Sequence, residues 1–375
     1  TVRHWRRAFK EKGMAIFPEE VFTPPVLTTK EKASPEPEQS SPSPTPDKKT
    51  APKLPLPLRK KIGLKPTDTM AEAGRKVIGF HLARMLSREE ETRLGEDIEA
   101  LHDMRVAVRR MRAALGIFQS AYTGKTVKAL RKGLKSITKA LGPARDMDVF
   151  IEKLQAYRAT LPEAEQAGLT PLLENWQAQR ETARKAMVDF LDSGKYAQVK
   201  KTLLNFVKSK GEGDIPVQKD RPTPHQLRHL VPQLIYARYA EVYAYDVVLD
   251  SASLETLHDL RLALKAFRYT LEFFRELLGP EVKAVLAEIK HLQDHLGDLN
   301  DADVAIGILQ QQLAEWENYQ TGLPLAERQS PTALINFLTH KTEERHRLIV
   351  SFPEAWARFN TPEFRQNLAL AVAAI

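Results

Sequence analysis

The sequence predicts an all-α protein built as two pseudo-symmetric helical bundles, and three observations predict it. Period-2 alternation of apolar residues is nowhere sustained, so strands are not expected. Apolar residues recur instead at three- and four-residue spacing, the mark of amphipathic helices. Two blocks also occur twice. LHDMRVAVRRMR at Leu101–Arg112 returns as LHDLRLALKAFR at Leu257–Arg268, and LKSITKALGPARDMDVFIEKLQ at Leu134–Gln155 returns without a gap as IKHLQDHLGDLNDADVAIGILQ at Ile289–Gln310. Both blocks are displaced almost equally along the chain, so a whole unit is duplicated. Two copies of a long unit predict two similar subdomains, because a solenoid needs three or more shorter repeats.

The elements follow in order. Thr1–Phe17 reads as a short helix or the tail of an upstream domain, and Thr1 is not a start methionine, so targeting information upstream is expected to be missing. Residues 18–65 read as a disordered Pro/Ser-rich linker ending in the cations Arg59, Lys60, Lys61 and Lys65. The first subdomain is expected over 66–208, a joining segment over 209–223 and the second subdomain over 224–375. Asp68 or Thr69 caps a first helix reaching Leu86. Further helices are expected over Glu96–Ala121, Val127–Leu141, Asp146–Thr160, Glu163–Leu191 and Lys195–Lys208. The second half repeats the plan with Pro224–Leu249, Leu254–Leu278, Pro280–Leu296, Asp301–Tyr319, Thr332–Val350 and Thr361–Ala374. The boundaries at Leu141-Gly142 and Leu296-Gly297 rest on glycine as a helix stop, with Asp146 and Asp301 as the next helix starts.

On the repeated helix, Leu101, Met104, Val108, Met111, Leu115 and Phe118 fall in a sector of roughly 100°. His102, Arg105, Arg109 and Arg112 form a second stripe beside it. The second copy keeps both stripes, with Leu257, Leu260, Leu264, Phe267, Leu271 and Phe274 for the core and His258, Arg261, Lys265 and Arg268 for the cations. Architecture needs only the apolar stripe, so a persisting cationic stripe points to a shared task. Between Met104 and Arg145 there is no Asp or Glu, although this stretch holds the stripe's arginines together with Lys128, Arg131 and Lys135. Lys128 and Lys135 map onto Lys283 and Lys290. Such a field suits a polyanion.

These motifs resemble the CHAD domains (conserved histidine α-helical domains). The resemblance rests on LHDMRVAVRRMRAALGIF, on LHDLRLALKAFRYTLEFF and on the two Leu-Gly-x-x-x-Asp-x-Asp-Val segments, and it covers the chain from about Asp68 onward. It implies two bundles around a central basic channel that binds inorganic polyphosphate, with no established catalysis. By motif position it assigns the site to His102, Arg105, Arg109, Arg112, His258, Arg261, Lys265 and Arg268, and less directly to Lys135 and Lys290. An upstream fused domain or a polyphosphate-metabolising enzyme is an implied partner, and polyphosphate granules in the cytoplasm an implied location.

The sequence also bears on other classes of protein. There are no cysteines, so disulfides and thiolate metal sites are excluded. No apolar run has the length of a membrane span. A nucleic-acid binder shares the charge, at a formal net +8, but the stripes lack interleaved aromatics. A histidine phosphorelay module is the other alternative. His291 and His295 have the i,i+4 spacing of a zinc pair, but the first copy has Ser136 and Ala140 there. Asp146, Asp148, Asp301 and Asp303 are expected as helix caps and ion-pair partners rather than as magnesium ligands. Neither an enzymatic activity nor a cofactor is expected.

Overall fold

A computed structural model of the chain describes residues 54–217 and 224–375; the expected helix over Thr1–Phe17 and most of the expected linker lie outside the described residues. Helix α1 (Met70–Ser87) starts with a capping box. The Thr69 hydroxyl accepts from the Glu72 N–H at 3.1 Å, and the Glu72 carboxylate accepts from the Thr69 N–H at 2.9 Å. A short α2 (Glu89–Leu94) stops at Gly95, whose φ of 72° is the left-handed conformation that glycine adopts without penalty. The first histidine helix, α3 (Ile98–Phe118), is capped by Asp97. Next come α4 (Gly124–Arg158), α5 (Glu163–Gln166), α6 (Thr170–Asp192) and α7 (Gly194–Lys208). The second half has α8 (Leu227–Tyr243), the second histidine helix α9 (Leu254–Phe274), α10 (Val282–Thr321), α11 (Thr332–Phe359) and α12 (Pro362–Ala373). Among the described residues there are only two isolated β-bridges and no strand.

Two expected helix boundaries are overturned. Helix α4 runs unbroken for 35 residues through Gly142 and Pro143, and α10 for 40 residues through Gly297. The reason lies in the apolar phase. Leu134, Ile137, Leu141, Ala144, Met147, Ile151 and Leu154 form one buried stripe that crosses the glycine in register, as do Leu292, Leu296, Leu299, Ala302 and Ile306. Burial of such side chains, about 1.5–3 kcal/mol each, outweighs the cost of an interior glycine and even of a proline. Asp146 and Asp301 are therefore mid-helix residues and not caps. Three smaller corrections follow. Glu163–Leu191 is divided by a 3-10 turn at Ala167–Leu169. The expected Pro224–Leu249 helix gives way to a 3-10 stretch after Tyr243. Helix α11 continues past Val350, through Pro353, to Phe359.

Helix α1 packs on α3, α3 on α4, and α4 on α6 and α7; further along, α8 packs on α9, α9 on α10, and α10 on α11 and α12. The two sets meet where α3 packs on α9, through an edge-on contact between Phe118 and Phe274, and His81 of α1 adds a tilted contact with Phe273. They meet again at the far ends of the long helices. There Ile151, Leu154, Trp176, Leu309 and Phe337 form a second buried cluster, with Tyr157 stacked on Phe337.

Two segments expected as linkers pack on this frame. Ile62 and Leu64 are buried, and the N–H groups of Ile62, Gly63 and Leu64 donate to the Glu276 carboxylate, so packing begins ahead of residue 66. The start of the joining segment is pinned by Arg75, which is buried and binds the Phe206 and Glu212 carbonyls and the Asp214 carboxylate.

Candidate anion-binding site

The apolar stripes of α3 and α9 are buried, and this fixes where their cationic stripes point: toward α4 and α10, and toward each other. On the first half, Arg105 donates to the Gly142 carbonyl at 2.8 Å and pairs with Asp146 at 2.7 Å. Arg112 reaches the Thr138 hydroxyl at 3.5 Å. His102 lies beside Arg145. Burial, and then the charges of Arg145 and Arg109, push its imidazole below its ordinary value. One Arg145 Nη1 is buried with no hydrogen-bond partner.

On the second half, His258 Nδ1 and Asn300 Oδ1 are 2.9 Å apart. Arg268 donates to Glu272 at 2.8 Å and to Gln293 at 3.2 Å. Among the described residues Arg261 has no carboxylate bound to it, and its Nε is buried without a partner. The acid within its field, Asp301, is held instead by Lys153 of the first half at 2.9 Å.

Where α3 meets α9, the stripes of the two halves converge. Arg109 lies within the electrostatic reach of both Arg261 and Lys265. Burial, and then the two guanidinium charges, push the Lys265 ammonium down to about 8. Arg110 crosses between the halves to pair with Glu272 at 2.9 Å, so that one carboxylate holds an arginine from each. Asp146 feels Asp301 as well as Arg105 and Arg145, which draws all these groups into one electrostatic centre. Burial outweighs the arginines there and raises the Asp146 carboxyl above its ordinary value.

The remaining candidates stand apart. Lys128, Lys135 and Lys283 are exposed on α4 and α10, Lys290 pairs with Asp294 within its own helix, and Arg131 donates to Gln119 at 2.7 Å. Asp148 and Asp303 pair with Arg180 at 2.5 Å and Arg345 at 2.8 Å. His295 Nε2 is 2.8 Å from the Leu348 carbonyl.

Sequence reasoning missed Arg145, Arg110 and Lys153 as members of this centre. Arg145 and Arg110 lie within the acid-free run, and that signal was sufficient to find them. Lys153 pairs across the halves, and nothing in its local sequence announces it.

Among the described residues no helix is long and apolar enough to cross a membrane. A search of curated protein sequences finds no match. Among solved structures, the chain is similar to the crystal structure of the CHAD domain from the plant Ricinus communis, at 23% identity and a TM-score of 0.57, over 84% of this chain and 96% of that one. It is also similar to PptA from Streptomyces chartreusis, at 15% identity and a TM-score of 0.55, over 77% of this chain and all of the other. Both likenesses concern the fold. The CHAD domain pattern matches residues 76–310, which is more than half of the chain and spans both histidine helices and the Asp-x-Asp segments of both long helices. The chain belongs to the CHAD domain family.

Proposed function

We propose that this protein binds inorganic polyphosphate, without turning it over, in a channel between two copies of one duplicated unit. The observation that carries this reading is the convergence of Arg109 from the first histidine helix with Arg261 and Lys265 from the second, where the acid in their field, Asp301, is already held by Lys153. Like charges brought together at partial burial are unfavourable unless a ligand neutralises them. A linear anion carrying about one charge per phosphate, with no bases to read, fits guanidinium forks and ammonium groups without aromatic platforms. The matching partner helices of the two halves support a duplicated unit. The two separate contacts between the halves, at α3–α9 and at the far ends of α4 and α10, support a passage between them. Binding rather than turnover is favoured because Asp146, Asp148, Asp301 and Asp303 are each engaged by an arginine or lysine.

Titration calorimetry with long-chain polyphosphate, pyrophosphate and single-stranded RNA, at matched charge and salt, tests the reading. The long chain should bind far more tightly than pyrophosphate and more tightly than RNA, with affinity falling steeply as salt rises. Equal affinity for pyrophosphate and the long chain would remove the channel, and tighter RNA binding would remove the ligand.

A further inference from the structure

We propose that Lys265 is a modification site, acylated on Nζ by small acyl phosphates whose phosphate group is seated by Arg109 and Arg261. Arg261 and Lys265 are i,i+4 neighbours on α9, so their side chains share one face, and Arg109 approaches them from α3. Among the described residues neither Lys265 nor Arg109 has a hydrogen bond or ion pair. Three cations are thus crowded against one already-paired carboxylate, and something must yield. The guanidiniums keep their protons under all ordinary conditions, so relief falls on the lysine.

Burial, and then the charges of Arg261 and Arg109, push its ammonium down to about 8. At pH 7 roughly one molecule in ten then carries the free amine, against roughly one in three thousand for an ordinary lysine. An amine of this kind, partly desolvated beside cationic groups, is the usual form of a nucleophilic lysine. The two arginines add what an exposed reactive lysine lacks, a seat for a phosphate next to the amine.

The step balances without an oxidant or reductant. The Nζ lone pair attacks the acyl carbon and forms the N–C bond. The bond from that carbon to the bridging oxygen breaks, and its electron pair leaves with inorganic phosphate, whose charge the guanidiniums stabilise. The extra proton on nitrogen passes to water. The product is a neutral amide, and the cluster has lost one of its three charges. The modification stands on the cluster's geometry and the lowered ammonium within it, whereas its effect on polyphosphate affinity rests on the proposed function.

The test treats the whole protein with acetyl phosphate and maps acetylation over time by peptide mass spectrometry. Lys265 should be acetylated at least tenfold faster than the exposed Lys128, Lys135 and Lys283; equal or slower reaction would overturn the proposal. Arg109→Gln, an exposed position on α3, should lower that preference severalfold. With p-nitrophenyl acetate, a donor without a phosphate, the preference for Lys265 should also be smaller. An unchanged preference with that donor would overturn the phosphate seat. Polyphosphate affinity is measured in parallel on the acetylated protein and on Lys265→Gln, with folding checked by circular dichroism. Selective acetylation with affinity unchanged would leave the site standing and count against polyphosphate binding by this cluster. Lost affinity in Lys265→Gln without selective acetylation would do the reverse.

Discussion

Arg105 and Arg261 hold the same place in the two histidine helices, and the structure uses them differently. Arg105 is tied to Asp146 and to the Gly142 carbonyl, so it joins α3 to α4. Asp301 stands where the repeat places the equivalent of Asp146, but Lys153 from the other half has taken it, and Arg261 is left with a buried, unpartnered Nε. The histidines differ in the same sense, since His102 faces the cation Arg145 while His258 faces the neutral Asn300. One motif therefore yields a structural arginine in the first half and an available one in the second. A cationic stripe in the sequence marks both without telling them apart.

The largest predicted effect separates these two roles. Arg261→Ala should weaken long-chain polyphosphate binding by tenfold or more, the loss of one charge-assisted contact of about 1.5–3 kcal/mol, and leave thermal stability nearly unchanged. Arg105→Ala should do the opposite, lowering stability by a similar amount because Asp146 is left half-buried and unpaired, with a smaller loss of affinity per folded molecule. Calorimetry and denaturant titration of both variants check the pair. Equal profiles for the two would erase the distinction.

A second effect belongs to the dry contact between the halves. His81 packs against Phe273 there, and burial, followed by Arg110 and Arg84, lowers its imidazole to about 3. It stays neutral in the folded chain, whereas the unfolded chain protonates it near 6.5. Its contribution is therefore fully present above pH 6.5 and is lost as pH falls toward 3. At pH 5 the loss should be about 2 kcal/mol. His81→Leu should show a correspondingly smaller drop in denaturant midpoint between pH 7 and pH 5; an identical drop would mean that the ring is not held neutral.

The wet side of the same contact titrates at the other end of the scale. The Lys265 ammonium is lowered, so the free protein sheds charge as pH rises through about 8. Polyphosphate affinity should fall by up to about twentyfold between pH 7.5 and 9.5. In Lys265→Arg, whose guanidinium does not titrate in this range, the fall should largely disappear.

The smallest predicted effect concerns the two long helices. A Cβ at Gly142 meets nothing nearer than 3.9 Å, and one at Gly297 meets nothing within 4 Å. Gly142→Ala and Gly297→Ala should each raise stability by about 0.5–1 kcal/mol, as expected for an unhindered helix interior and contrary to a helix stop. Thermal melts of the two variants decide it.

The two glycines also mark where local sequence and structure part ways. Helix type, order and core were legible because Leu101, Met104, Val108 and Met111, and their counterparts in α9, are buried as their spacing required. Helix stops at Leu-Gly do not form, because an apolar stripe that continues in phase outweighs local punctuation. At the site, the stripe from His102 to Arg112 and its copy could be read directly. The exchange of Asp301 from Arg261 to Lys153 could not, since it depends on how the far ends of α4 and α10 approach each other, a contact between residues 148 positions apart.

Cations from both histidine helices should act on one polyanion, and a double-mutant cycle shows whether they do. Long-chain polyphosphate affinity is measured for the unmodified protein, Arg109→Ala, Lys265→Ala and the double variant. Each single change should weaken binding, and the double change should weaken it by less than their sum, with a coupling of at least about 0.5 kcal/mol, because the two groups meet the same stretch of ligand. Strict additivity, or a Lys265→Ala protein that binds the long chain like the unmodified one, would contradict the shared site.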